Sequence, residues 1–332
     1  MNISMLYCRT LTICMAAAML VGCGGSQPPI GAPGAMAQTH AIVARFDRAK
    51  SQPVRAAAKD AWSGVLLYVA TGGDVYVLSY PSGKAVGRLG VQGYSLCSDN
   101  HGNVFVVDAD QAVAEYSHRG KLVQTLPIYD VPVSCSVDPT TGNLAVPTVD
   151  YDCVYIFPGA RPPAQSVCDN AFEVPDMSAY DSHGNLFLDG AAPGPHFSTV
   201  PNFAELPKGA TAFRNYSLGN RLRYGYYDSV NWDGTYITLS NPDTHSIYRM
   251  HIAHRATIVG ATHVRGWVGG FCCGDGGQQT WLKDGMFIAQ WHSGPPLAIW
   301  SYPDGGKLIK VLPPFASAGT SVDGVVLSHA PH

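Results

Sequence analysis

Six aspartates recur at nearly even spacing: Asp99, Asp138, Asp181, Asp233, Asp284 and Asp323. Oxygen ligands of this type, gathered at one point, hold a divalent cation or divide into an acid and a base. Each also belongs to a turn sequence, as in Ser98-Asp-Asn-His-Gly-Asn103, Val137-Asp-Pro-Thr-Thr-Gly-Asn143 and Tyr180-Asp-Ser-His-Gly-Asn185. There an Asp side chain accepts bonds from backbone N–H groups two residues on, and Gly takes a positive φ. Turn duty is the sufficient reading, so none is assigned as a metal ligand or a catalytic residue.

The other candidates are weaker. His251 and His254, in Tyr248-Arg-Met-His-Ile-Ala-His254, are expected in a hairpin turn, where residues three apart share no helix face, and a zinc site needs further ligands. Gly274-Asp-Gly-Gly277 opens no helical pattern and lacks the Lys-Ser/Thr of a phosphate-binding loop, and no Gly-x-Ser-x-Gly is present. No cofactor is expected. Tyr224 to Tyr227, Trp232, Trp267, Trp281 and Trp291 enrich the second half in aromatics, most of them expected in the core and a few able to stack on a ligand at an exposed mouth.

Of nine cysteines, Cys8 and Cys14 lie in an apolar leader and Cys23 directly ends it. The remaining six allow fifteen pairings. Cys153 and Cys168 flank a hairpin symmetrically about Ala160 and Arg161, so they are expected to face each other and form a disulfide rather than remain two buried thiols. Closing that loop is worth about 3 kcal/mol. Cys97 and Cys135 stand on leading strands of adjacent units and are a second candidate pair near a central channel. Cys272 and Cys273 form either a vicinal bond or bonds elsewhere.

The elements behind these residues are hairpins. Val75 to Leu89 reads VYVLSYPSGKAVGRL, and Ile299 to Leu312, IWSYPDGGKLIKVL, repeats it with a longer turn. Weaker copies run from Val113 to Leu126, Val154 to Val167 and Phe203 to Leu218. A strand led by Gly64, Gly102, Gly142, Gly184, Gly234, Gly285 and Gly324 recurs at intervals of 38, 40, 42, 50, 51 and 39 residues. That period is the one of propeller blades. A short strand before each Asp-Gly turn brings each unit to four. The strands are apolar on both faces, as required when each sheet is packed between two neighbours. The fold class expected is all-β: a six-bladed β-propeller of four-stranded antiparallel blades over residues 62–332, its ring closed by the C-terminal strand. Insertions enlarge units four and five near Gly190 to Asn202 and Asn241 to Ser246.

Composition agrees. The 332 residues are 46% apolar and 14% charged, with Gly 36 and Pro 24 punctuating many short strands. A net charge of -3 without a basic cluster argues against nucleic-acid binding.

Residues 1 to 22 read as a lipoprotein signal peptide. Leu20-Val21-Gly22-Cys23 resembles the bacterial lipobox, which implies that Cys23 is acylated and opens the mature chain. Residues 23–61 then form a Gly/Pro-rich tether and a lead-in with a helical turn at Val54 to Lys59. Gly24 after the anchor implies, by resemblance to enterobacterial sorting, the outer membrane, so the protein is placed in a bacterial cell envelope facing the periplasm or the cell surface.

Units such as Gly102-Asn-Val-Phe-Val-Val-Asp108 followed by an apolar hairpin resemble the NHL and SMP-30-like six-bladed propellers, of the uncharacterised bacterial lipoprotein type. The resemblance implies a monomeric, membrane-tethered binding or scaffold module for a protein, peptide or glycan. The alternative it implies is a metal-dependent lactonase or hydrolase, for which this chain shows the Asp residues without the matching Glu.

Overall fold

The computed structural model describes residues 62, 64–108, 111–149, 152–172, 174–193, 199–216, 218, 229–241, 244–267, 280–291 and 296–331. The leader, Cys23, the tether, the turn expected at 54–59, Tyr224 to Tyr227 and Cys272 to Gly277 lie outside these residues.

Six four-stranded antiparallel sheets form the six blades of the ring. Blade 1 takes its inner strand from the C-terminus: β24 (Gly324–His329) pairs with β1 (Val65–Ala70), which is followed by β2 (Val75–Ser79) and β3 (Ala85–Arg88). Blade 2 holds β4 (Ser95–Ser98), β5 (Val104–Asp108), β6 (Ala112–Tyr116) and β7 (Leu122–Pro127). Blade 3 holds β8 (Ser136–Val137), β9 (Leu144–Pro147), β10 (Cys153–Phe157) and β11 (Gln165–Cys168). Blade 4 holds β12 (Val174–Tyr180), β13 (Leu186–Pro193), β14 (Thr199–Leu206) and β15 (Arg214–Tyr216). Blade 5 holds β16 (Ser229–Trp232), β17 (Ile237–Asn241), β18 (Ser246–Ile252) and β19 (Ala256–His263). Blade 6 holds β20 (Trp281–Lys283), β21 (Met286–Gln290), β22 (Leu297–Ser301) and β23 (Leu308–Val311).

The doubly apolar strands are explained by where their side chains go. Along β5, Val104 and Val106 enter the apolar cluster shared with blade 1, while Phe105 and Val107 enter the one shared with blade 3. Likewise in β1, Leu66, Tyr68 and Ala70 face blade 2, and Leu67 and Val69 face blade 6. Side chains alternate across a strand, so one strand feeds two interfaces. Among the described residues such a cluster fills the interface between every adjacent pair of blades. Burial across these interfaces, at about 25 cal/mol per Å² of apolar surface, is the main favourable term holding the ring together.

Both argued cysteine pairs are bonded. Cys153 and Cys168 are direct register partners of β10 and β11, 4.0 Å apart at Cα. Cys97 of β4 joins Cys135, just ahead of β8, with a Cα separation of 5.6 Å. This second bond staples blade 2 to blade 3 within their shared apolar cluster, instead of lining the channel.

Two sequence readings need correction. Gly324-Val-Val-Leu-Ser forms the inner strand of blade 1, as the ring-closure reading expects, and so does not belong with the Gly-led second strands among which its spacing grouped it. Asp323 therefore sits at the opposite end of its blade from the other five aspartates, and its N–H donates to the Ala70 carbonyl. His251 lies within β18, and of the two histidines only His254 is in the turn; both are exposed. Among the described residues no helix is long and apolar enough to cross a membrane.

Candidate functional site

The ring has two faces of different construction. One, the turn face, carries the connections from inner to second strand and from third to outer strand. The other, the loop face, carries those from second to third strand and from each blade to the next.

On the turn face Asp99, Asp138, Asp181 and Asp233 are committed to their turns. Asp99 Oδ1 accepts the N–H groups of His101 and Asn103 at 2.9 and 2.8 Å, and Oδ2 accepts Asn103 Nδ2. Asp181 repeats the arrangement with His183 and Asn185. Burial opposes ionisation of Asp138, but hydrogen bonds from Thr141 and Thr140 and the Lys208 ammonium outweigh it and hold the carboxyl below its usual range. Asp233 accepts Thr235 and Tyr236 N–H groups, and its Oδ2 accepts the Tyr302 hydroxyl of the next blade at 2.6 Å. Asp284 occupies a turn at φ 54°.

The hairpin turns on the same face link blades. Tyr80 Oη contacts Met286 Sδ at 3.0 Å, Arg161 Nη1 pairs with Glu115 Oε2 at 2.8 Å, and Lys208 Nζ donates to Thr140 Oγ1 at 2.8 Å. The turn face is thus occupied by architecture.

The loop face keeps its polar groups differently. Four second strands carry a buried polar residue after their apolar run: Asp108, Asn241 and Gln290 as the last residue of the strand, and Asp189 within β13. Three of these accept backbone N–H groups where strands begin irregularly. Asp189 Oδ1 takes Met177 N–H at 2.9 Å, Gln290 Oε1 takes Val322 N–H at 3.3 Å, and Asn241 Oδ1 takes Thr244 N–H at 3.0 Å. Such acceptors cover donors that the ladder leaves unpaired. Asp130, fully buried in the connection to blade 3, accepts the Val131 N–H at 2.7 Å. Among the described residues the carboxylates of this kind lie on blades 2 to 4. Blades 5 and 6 offer neutral groups instead, with Asn231 Nδ2 donating to Ser229 Oγ at 3.0 Å and Ser229 Oγ to the Thr280 carbonyl at 3.3 Å.

Asp176 differs from all of these. It sits in the β-bulge between Pro175 and Ser178, opposite Asp189, and its own carbonyl accepts Ser134 Oγ of blade 3 at 2.6 Å. Bulges re-aim side chains and are common beside functional sites. Burial pushes the Asp176 carboxyl up to about 7. The residue's surface is only partly covered, because β12 borders the channel, and channel water moderates that shift without reversing its sign. On the same face Val174, which opens β12, is 40% exposed, and Tyr129, in the connection from blade 2 to blade 3, is 68% exposed. An acid with a raised pKa and exposed apolar groups on one face are what a recognition site offers.

The sign of the shift makes a prediction. A raised folded pKa means that the native state holds a proton the unfolded chain loses, so the associated stability is present below the ordinary carboxylate range and is lost as pH rises to about 7. Asp176→Asn removes the ionisation. The variant is expected to be about 1–2 kcal/mol more stable than wild type at pH 8 and to lose that advantage towards pH 4. Urea unfolding at the two pH values reads this, and equal stability at pH 8 would contradict it.

Neither Asp176 nor the four buried polar residues of the second strands were singled out by spacing. Those four polar residues are visible as the residue closing an apolar run, whereas the bulge has no local signature. No family model and no curated protein matches the chain. Solved structures do. A chain from a nidogen/laminin complex aligns with a TM-score of 0.62 at 13% identity, covering 81% of this chain and 100% of its own. At such identity the likeness is one of fold. A protein of unknown function from Bacteroides caccae aligns at 0.60 and 12% identity, covering 80% of this chain and 99% of its own. A functionally unknown protein from Desulfotomaculum acetoxidans aligns at 0.55 and 13%, covering 83% and 89%. A shared propeller does not fix activity, since propellers host many functions.

Proposed function

We propose that the protein is a binding module of a bacterial envelope, tethered through acylated Cys23, which engages a protein, peptide or glycan at its loop face. The observation that carries this reading is the division of labour between the faces. The turn-face carboxylates of Asp99, Asp138, Asp181 and Asp233 are bonded within turns or between blades, while the loop face carries Asp176, whose carboxyl burial pushes up, and exposed Tyr129 and Val174. Two disulfides within the described chain accord with an oxidising compartment. One of the similar solved structures is itself from a protein–protein complex, which supports a protein partner.

The hydrolase alternative requires a divalent cation held by several donors. Among the described residues no group of three or more His, Cys, Asp or Glu side chains is placed to hold one, so no step is drawn through a metal.

For the tether, wild type is expected to sediment with membranes and Cys23→Ser to appear in the soluble fraction. Continued sedimentation of the variant would remove the anchor from the proposal.

A further inference from the structure

Ring closure is concentrated at one seam, where β24 lies against blade 2. Ser98 Oγ donates to the Leu327 carbonyl at 2.9 Å, and Ser328 Oγ donates to the Gly102 carbonyl at 2.6 Å. Gly102, at φ +80°, lies so close beneath β24 that a Cβ would collide with the His329 carbonyl oxygen. Into this seam projects His118, 4% exposed, with Nδ1 at 2.7 Å from Ser328 Oγ. The Tyr68 hydroxyl donates to the His118 carbonyl at 2.7 Å and fixes the turn that carries the ring.

The hydrogen positions follow from the bonding. Ser328 has one hydroxyl proton and gives it to Gly102, so in the neutral ring Nδ1 carries the hydrogen and donates to Ser328. Nε2 is then the bare nitrogen, buried with no hydrogen bond formed to it, and the nearby Trp62 and Gly64 backbone only partly favours a proton on the ring. A second proton has to be placed there.

The position is a repeated one. Ser79, Ser117 and Ser301 open the hairpin turns of blades 1, 2 and 6, their N–H groups bonded to the carbonyls of Lys84, Lys121 and Lys307. The next residues are Tyr80, His118 and Tyr302. The tyrosines reach the preceding blade with a hydroxyl, to Met286 and to Asp233. At the seam where the two chain ends meet, the same peg is an imidazole.

We propose that His118 is an acid-sensitive latch of the ring: neutral, it holds β24 against blade 2, and uptake of a proton into the buried seam loosens the C-terminal strand. The surrounding charges favour this. Burial lowers the His118 pKa below its ordinary value, the backbone of Trp62 and Gly64 offsets part of that, and Arg119 on its own turn and His329 on β24 add to the lowering. From β1 the facing group is the Tyr68 hydroxyl. From the adjoining turn of blade 2 the groups are His101 and Asp99, and the Asp99 carboxylate is already taken up by the His101 and Asn103 N–H groups. Because the folded pKa is lowered, the stability it carries is present above about 6.5 and is lost as pH falls below it. Asp176 works in the opposite sense, so a global melt mixes the two and a local readout is needed.

Hydrogen exchange of the intact protein at pH 8, 6.5 and 5 supplies that readout. Protection factors of the β24 amides are expected to fall by up to about tenfold per pH unit below 6.5, the limit for opening coupled to one proton, while those of β17 stay level. In His118→Asn, which keeps a donor towards Ser328 and cannot take up a proton, β24 protection is expected to be independent of pH. Level β24 protection in wild type, or the same acid-dependent loss in the variant, would overturn the latch. If the variant does not fold, the comparison of β24 with β17 in wild type decides alone.

Discussion

Deleting residues 324–332 is expected to abolish cooperative folding, although it removes only the end of the chain. Those residues include the whole of β24, which pairs with β1 over six positions from Val65↔His329 to Ala70↔Gly324. Val325 and Leu327 fill the blade 6 interface and Val326 the blade 2 interface, all three buried. Each such side chain is worth about 1.5–3 kcal/mol of burial, so their loss alone removes roughly 5–9 kcal/mol from a typical total of about 5–15. The deletion also bares β1 as an unpaired apolar edge, Val65 to Ala70, a template for aggregation. Near-UV circular dichroism and gel filtration read the result. A sharp thermal transition within a few degrees of the intact chain would show that β24 is not the closing strand.

Trp300→Ala is expected to be the most costly single substitution in blade 6. The side chain is fully buried, its Nε1 donates to the Arg265 carbonyl at 3.1 Å, and its ring lies 5.7 Å from Phe287 and 5.8 Å from Trp291. Phe287 in turn meets Trp267 edge-on at 5.2 Å, so the cavity would open in the middle of an aromatic cluster. A Trp-to-Ala cavity costs about 3–5 kcal/mol, and the orphaned carbonyl adds about 1–3. A chain of this size loses roughly 2 °C per kcal/mol, so the melting temperature should fall by about 10 °C. Trp300→Phe retains most of the packing and should lose less than half as much. A fall under 3 °C for the alanine variant would mean that the cluster collapses to fill the space.

The hairpins, the repeat and the closing strand were legible because each is a local pattern. Aromatic and β-branched runs flank Pro-Ser-Gly and Pro-Asp-Gly turns, and the Gly-led strand recurs at blade spacing. Cys153 and Cys168 could be paired because hairpin symmetry sets their register. What local pattern cannot report is which end of a blade a turn occupies. The closing role of Gly324-Val-Val-Leu-Ser was legible, but its Gly-led composition also grouped it with the second strands, whose leading turns lie at the opposite end of the blade. Asp323 was misplaced for that reason. The bulge at Asp176 escaped because an extra residue in a strand shows only against its partner, β13. His118 became readable once the backbone bonds of Ser79, Ser117 and Ser301 aligned their turns.

The central claim is that recognition belongs to the loop face and architecture to the turn face. Detergent-solubilised full-length protein, immobilised and exposed to envelope extract, tests it through a pair of variants that both remain folded. Tyr129→Ala with Asp176→Asn alters the loop face, whereas Lys84→Glu with Lys307→Glu alters exposed positions of the turn face. The amount of the captured component, measured by quantitative mass spectrometry, is expected to fall at least about tenfold for the first pair, a loss of about 1.4 kcal/mol, and to be unchanged for the second. Capture that survives the loop-face pair and is lost with the turn-face pair would contradict the account.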